Sequence, residues 1–387
     1  MRLVDRFLGV LACWLLTAHR RTVGRLFRRR PADPPRAILL IKLWGIGSVL
    51  LTGPVQRALK EAFPNARLLF LTFAPNRWAA EALGFADEVW TIRTNGLGAA
   101  LADLAAFRRG CRRERVDLCL DLEFFSRLPV VLTYLSGAPR RIGFFARGIS
   151  AGDLFTDRCN FNAYRHITES FCALAEKAGA RCEPDLPVAP RVETADLEAV
   201  QGKLAERRLS AGQPFVALSP NVSDLGAVLR RWPEDRWTEL ANRLSSELGL
   251  ASVFVGAPSD VGYVERIVER CASGTRVCSL AGQTTLGELA AVISLASALV
   301  ACASGPVPLA ECLGTPTASL FGTETPVLYG LRGEQHRNLY KAPYCSPCLS
   351  VYNEKIVDFS CDNRCMRDIT VDEVLAAVRD IIRTPAP

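Results

Sequence analysis

From residue 36 onward the chain alternates short apolar runs with stretches whose apolar residues recur at helical spacing. Ala37-Ile-Leu-Leu-Ile-Lys-Leu43, Arg67-Leu-Leu-Phe-Leu-Thr72 and Glu88-Val-Trp-Thr-Ile92 have strand length, and 55–63 and 76–83 between them have helix periodicity. Trp44-Gly-Ile-Gly-Ser48 reads as a tight turn, and Val116-Asp-Leu-Cys-Leu-Asp-Leu122 adds a strand. Strands that are apolar on both faces and separated by helices predict a parallel sheet covered on both sides. The proline-bearing stretch Glu183-Pro-Asp-Leu-Pro-Val-Ala-Pro190 interrupts the alternation, which then restarts. Strands at 215–219, 251–255, 298–302 and 317–321 alternate with helices at 236–248, 261–271 and 286–294, and a helix at 371–382 closes the chain. The pattern predicts an α/β protein with two doubly wound Rossmann-like domains, 37–190 and 191–387. Their strand ends would face one cleft, because ligands bind at the carboxyl ends of such strands.

Residues 1–36 stand apart. Phe7-Leu-Gly-Val-Leu-Ala-Cys-Trp-Leu-Leu-Thr-Ala18 is apolar and runs into His19, Arg20, Arg21, Arg25, Arg28, Arg29 and Arg30. Twelve helical residues span ~18 Å against ~30 Å of hydrocarbon, too short to cross a bilayer. The segment predicts a helix lying on an anionic membrane surface, peripheral on the inner face of a bacterial cytoplasmic membrane. A cleaved signal peptide fits less well, since a dense basic run stands where a small-residue cleavage site belongs. A solvated basic tail is the plainer alternative.

Composition narrows the class. Of 387 residues 49% are hydrophobic, enough for a sizeable core. The nine arginines of residues 1–36 carry the whole net charge of +7, so the rest of the chain is balanced and shows no basic face for nucleic acid. Ten of the 14 cysteines are scattered singly, several in apolar stretches, and read as buried thiols in a reducing compartment. The other four cluster as Cys345-x-x-Cys348 and Cys361-x-x-x-Cys365, spacings open to a structural zinc or other metal, to disulfides or to free thiols.

The candidate chemistry lies at strand ends. Gly45-x-Gly47 begins a dinucleotide fingerprint, but its third glycine would fall on Leu50, which argues against nicotinamide or flavin. Ala301-Cys-Ala-Ser-Gly-Pro306 breaks a buried strand at Ser304-Gly305 before a helix, a place suited to a pyrophosphate on backbone N–H groups. Upstream, Arg230-Arg231-Trp232-Pro233 offers a cation for an anionic ligand.

Leu218-Ser-Pro220, Arg231-Trp-Pro-Glu-Asp-Arg-Trp237, Val255-Gly-Ala-Pro-Ser-Asp260, Leu280-Ala-Gly-Gln-Thr-Thr-Leu286, Ser304-Gly-Pro306 and Leu320-Phe-Gly-Thr323 stand in this order. With Ile38 to Pro54, Arg141-Ile-Gly-Phe144 and Cys365-Met366, the chain resembles the ADP-heptose:lipopolysaccharide heptosyltransferase family over about residues 37–383. The resemblance implies a GT-B fold and an inverting sugar transfer without a catalytic metal or other cofactor. It also implies a nucleotide-sugar donor on the C-terminal domain and a lipid-linked saccharide acceptor on the N-terminal one. By position, Arg231 matches the family's donor-phosphate lysine and Asp260 its ribose-binding acid, with Ser304, Gly305 and Pro306 beside them. Ser48 stands where the family has an aspartate thought to act as base, and Ala303 and Pro308 replace the acid and histidine of its Asp-Ser/Thr-Gly-x-x-His. Either another carboxylate serves as base or the protein is a silent relative that binds nucleotide sugar or glycolipid. Asp121-Leu-Glu123 ends a parallel strand, and Glu123 is the candidate base, with a salt bridge to Arg127 or Arg141 as its structural alternative. Asp121 and His166 are next in line.

Overall fold

Each apolar run becomes a parallel strand, buried throughout except at the edge strand 88–92 and the exposed Arg67. The computed structural model describes residues 2–22, 30–94, 96–145, 152–210, 212–222, 227–350 and 361–383. The chain divides into two units, Met1–Val188 and Ala189–Pro387.

The first unit runs α1 (Arg2–Arg21), β1 (Ala37–Ile41), α2 (Ile46–Leu50), α3 (Gly53–Ala62), β2 (Arg67–Phe73), α4 (Arg77–Ala82), β3 (Glu88–Ile92), α5 (Leu97–Glu114), β4 (Leu118–Asp121), α6 (Leu128–Leu135), β5 (Arg140–Phe145), β6 (Asp157–Asn160) and α7 (Ile167–Ala178). Its six strands are all parallel, in the order β3-β2-β1-β4-β5-β6. β1 is buried at every position because it has a strand on each side and helices above and below. Leu39 and Ile41 pack with Leu69, Leu71, Phe73 and Phe107 on one face of the sheet. α1 is part of this unit: Cys13 and Leu16 pack on Val130, Val131 and Tyr134 of α6 and on Leu154 and Phe155.

The second unit runs α8 (Thr194–Glu206), β7 (Phe215–Ser219), α9 (Ala227–Arg230), α10 (Glu234–Leu248), β8 (Ala251–Phe254), α11 (Val261–Glu269), β9 (Val277–Ser279), α12 (Leu286–Leu295), β10 (Ala298–Cys302), α13 (Pro306–Leu313), β11 (Thr317–Phe321), α14 (Pro326–Tyr329), β12 (His336–Tyr340), α15 (Arg364–Arg367) and α16 (Val371–Arg383). The sheet order β12-β11-β10-β7-β8-β9 repeats the topology of the first unit, since β7 and β10 take the places of β1 and β4. Trp232 and Trp237 anchor its core edge to face, 5.1 Å apart, with α16 in the same cluster. The indole N–H of Trp232 donates to the Ile369 carbonyl at 2.9 Å, as a buried indole must.

The structure departs from the sequence expectation at several places, among them the elements α5, α6, β5, α7 and β9, which the pattern does not name. Cys172 of α7 and Cys182 of the following loop form a disulfide rather than standing as isolated thiols. Hydrophobic periodicity also passes over β6 and β12, edge strands whose half-polar sequences carry no apolar run.

Candidate functional site

In both sheets the strand order reverses at one crevice, between β1 and β4 in the first and between β7 and β10 in the second. Ligands bind outside the strand ends at such switch points. The candidate residues fall at these two places.

In the first unit, the chain leaves β1 through Lys42-Leu43-Trp44, reverses at Gly45 and enters α2, which carries the half-buried Ser48. Gly45 has φ +82°, a conformation that L side chains rarely adopt, so glycine is required here. Glu123, just past β4, closes this turn from behind. Its Oε1 accepts hydrogen bonds from Lys42 Nζ at 2.7 Å, the Leu43 N–H at 2.8 Å and the Trp44 N–H at 2.9 Å. Lys42 Nζ also donates to the Trp44 carbonyl at 2.8 Å. The two side chains of this ion pair are 1% and 0% exposed. The cation on Glu123 is therefore Lys42 and not the expected Arg127 or Arg141. Arg141 spends its guanidinium on the carbonyls of Leu154 and Ala138.

Both alternative bases are buried. Asp121 is fully buried with Oδ1 accepting the Glu123 N–H at 2.9 Å. Burial first, and the neighbouring Glu123 charge after it, hold its carboxyl well above the usual range, against the opposing pull of that N–H and of Lys42. His166 is the N-cap of α7, its Nδ1 2.8 Å from Thr168 Oγ1 and accepting from the Thr168 N–H. It is a buried structural histidine.

In the second unit the structure brings Arg231 and Asp260, 29 positions apart in the chain, to 3.9 Å. The Arg231 guanidinium lies over the Tyr263 ring at 4.3 Å, and its Nε has no hydrogen-bond partner among the described residues. Asp260 Oδ2 accepts the Ala257 N–H at 2.9 Å, which fixes the short 3-10 turn before α11. The adjacent arginine has a different job. Arg230 donates to the Ala303 carbonyl at 2.6 Å and pairs with Glu324 at 2.9 Å, buttressing the loop after β10.

Asn221, two residues past β7, had no signal in the pattern analysis. It is 6% exposed, and neither its Oδ1 nor its Nδ2 has a partner among the described residues. A buried amide without partners is costly, so such a group marks a place where a polar ligand belongs. It stands beside Asp260 at Gly256, where a side chain would begin 3.0 Å from Asn221 Nδ2 and 3.1 Å from Asp260 Cβ.

Gly305 has ordinary helical dihedrals, φ −51° and ψ −38°, and a side chain there would meet nothing within 4 Å. The fold leaves open space above it. The expected row of helix amides is thinner than the pattern implied. Pro306 and Pro308 carry no N–H, and the Val307 N–H bonds to the Ser304 carbonyl at 3.1 Å. The amides of Ser304 and Gly305 are left, with Ser304 Oγ donating to the Cys302 carbonyl at 3.0 Å.

The tail cysteines lie near one another, since the thiols of Cys345, Cys348 and Cys361 all act on Cys365. Burial pushes the Cys365 thiol up to about 12 and raises that of Cys348 as well. Among the described residues no three His, Cys, Asp or Glu side chains are placed to hold an ion.

Two doubly wound units of one topology, the second with an arginine, a carboxylate and an open glycine at its switch point, place the chain in the GT-B fold class. The particular family follows from comparison: the chain belongs to glycosyltransferase family 9, the heptosyltransferases, whose sequence model matches residues 104–355. It is 21% identical over 327 residues to the lipopolysaccharide core heptosyltransferase OpsX of Haemophilus influenzae, covering 83% of this chain and 86% of the relative. It is 34% identical over 122 residues to lipopolysaccharide heptosyltransferase 1 of Pseudomonas aeruginosa, covering 32% of this chain and 33% of that one. A family 9 glycosyltransferase from Veillonella parvula superposes with a TM-score of 0.77 at 19% identity, over 90% of this chain and 97% of that one. Escherichia coli heptosyltransferase II follows at 0.71 and 20%, over 89% and 98%.

Proposed function

We propose that the chain transfers a heptose from an ADP-linked donor to the core of a lipopolysaccharide acceptor. The relatives supply the sugar and acceptor class, and the convergence of Arg231, Asp260, Asn221 and Gly305 at the second switch point carries the reading. An acceptor hydroxyl attacks the anomeric carbon and loses its proton to solvent water as the bond to the diphosphate oxygen breaks, and negative charge gathers on the leaving group. Arg231 and the Ser304 and Gly305 amides stabilise that charge, while Asp260 and Asn221 offer acceptors and donors to the nucleoside. In this reading the first unit binds the acceptor on the cytoplasmic side of the membrane, where nucleotide sugars are made. Ser48 meets the acceptor at the point of the turn. Glu123 and Lys42 act as positioning residues behind it, because Glu123 Oε1 takes three hydrogen bonds in a side chain 0% exposed, while its Oε2, without a partner among the described residues, is left to a polar ligand group.

Incubating purified protein with ADP-heptose and a heptose-free lipopolysaccharide core tests the reading through ADP release and the mass of the acceptor. The expected result is one heptose added. ADP binding without transfer would instead support a silent binding relative, for which the relatives give no support.

A further inference from the structure

α1 is divided lengthwise into two faces with different tasks. On one, Cys13 is buried and Leu16 packs on α6. Thr17 Oγ1 accepts the Asp153 N–H at 3.2 Å, His19 Nδ1 meets Tyr134 Oη at 2.8 Å, and Arg20 pairs with Asp153 at 3.0 Å. These contacts lock the helix to the first unit. On the other face Leu8, Leu11, Trp14 and Leu15 are 60%, 56%, 69% and 62% exposed. Positions 8, 11 and 15 follow helical spacing, so with Trp14 they form one stripe pointing away from the packed side.

Four large apolar side chains in one exposed stripe need a cover. We propose that this stripe inserts into the headgroup boundary of an anionic lipid bilayer, which makes α1 a rigid foot of the first unit instead of a flexible tether. Charge complementarity selects lipid over a second copy of the chain: beyond Arg20, which pairs with Asp153, the sequence from Arg21 to Arg30 holds five arginines and no acidic residue. A second copy of the chain carries the same excess of arginine in this segment, whereas an anionic lipid surface carries the opposite charge. Trp14 sits among leucines, and tryptophan prefers the boundary between headgroups and hydrocarbon. No described helix is long and apolar enough to cross a membrane, so the stripe lies in the surface plane. The inference rests on the acceptor being lipid-linked, and it adds that the first unit is held at one orientation to the surface bearing that acceptor.

The test uses the full chain and phosphatidylglycerol-containing vesicles, with phosphatidylcholine vesicles as control. Wild type should co-sediment with the anionic vesicles, and Leu11→Glu/Leu15→Glu should lower that partitioning at least ~10-fold with an unchanged thermal midpoint. Fluorescence lost in Trp14→Phe should be the portion that brominated lipids quench. A rigid foot further predicts that Arg20→Ala, which releases the packed face and spares the stripe, leaves the protein on vesicles but reduces transfer to vesicle-borne acceptor more than to a soluble core oligosaccharide. Equal vesicle binding by wild type and Leu11→Glu/Leu15→Glu overturns the proposal. So does a dimer that dissociates in that variant without any vesicle binding by wild type. Vesicle binding without heptose transfer would leave this inference standing and remove the proposed reaction.

Discussion

Replacing Glu123 with glutamine separates two roles for a buried carboxylate. The amide oxygen can still accept from Leu43 and Trp44, but the charge opposite Lys42 Nζ is gone. Removing one partner of a buried ion pair costs ~3–5 kcal/mol; the surviving backbone hydrogen bonds place Glu123→Gln near the lower end, about 3 kcal/mol. For a unit of this size that lowers the melting midpoint by roughly 6–12 °C. Calorimetry on Glu123→Gln, Lys42→Met and the double variant measures the coupling directly, and the double variant should be more stable than the sum of the single losses predicts. Kinetically, a loosened turn lowers kcat with donor affinity and the shape of the pH profile unchanged. A general base would behave otherwise, with a rate fall of ~10²–10⁴ and loss of the acidic limb of the profile. A Glu123→Gln protein that melts like wild type yet shows that kinetic signature would refute the clamp and make Glu123 the base.

Arg231→Ala should weaken nucleoside diphosphate binding by ~1.5–3 kcal/mol, the range for a charged hydrogen bond, as read by titration calorimetry. Arg230→Ala should instead lower thermal stability, because that guanidinium braces Ala303 and Glu324. His336 is buried, neither ring nitrogen has a partner among the described residues, and burial pushes its pKa down to about 4. Its neutral form belongs to the fold, so stability is full above the unfolded value of about 6.5 and declines as pH falls toward 4, by roughly 3 kcal/mol in total. Urea melts of His336→Leu should show a flatter dependence across that window. Gly322→Ala should destabilise by ~1–3 kcal/mol, since the new carbon would lie 2.5 Å from Met366 Sδ and 2.9 Å from Cys365 Sγ; a neutral result would mean that α15 yields there.

The central strands were legible because burial on both faces writes an unbroken apolar run: the runs at 215–219, 298–302 and 317–321 become β7, β10 and β11 with the same limits. Edge strands such as β12, half buried with His336-Arg-Asn-Leu-Tyr340, leave no such trace. At the site, Arg231 and Asp260 could be placed by resemblance, but their approach to each other is a tertiary fact. The partner of Glu123 was misplaced because Lys42 sits inside an apolar strand run, where periodicity counts it as an interruption. Asn221 was invisible for a related reason: an asparagine after Pro220 reads as turn chemistry, and only coordinates show that its amide is buried and unmatched. Cys172 and Cys182 could not be paired by spacing when 14 cysteines offer so many combinations.

Prolines at 306 and 308 bear on how fast the enzyme can turn over. A helix start with all its N–H groups holds a diphosphate equally well before and after the sugar has left, and such even-handed grip does not speed the reaction. Two of those groups are missing from α13, so under the proposed reading a diphosphate relies more on Arg231, whose guanidinium rests on the Tyr263 ring. Release of the spent nucleotide often limits an enzyme of this kind. On the proposed reading, fewer fixed donors at the phosphate end trade tightness for faster emptying of the site.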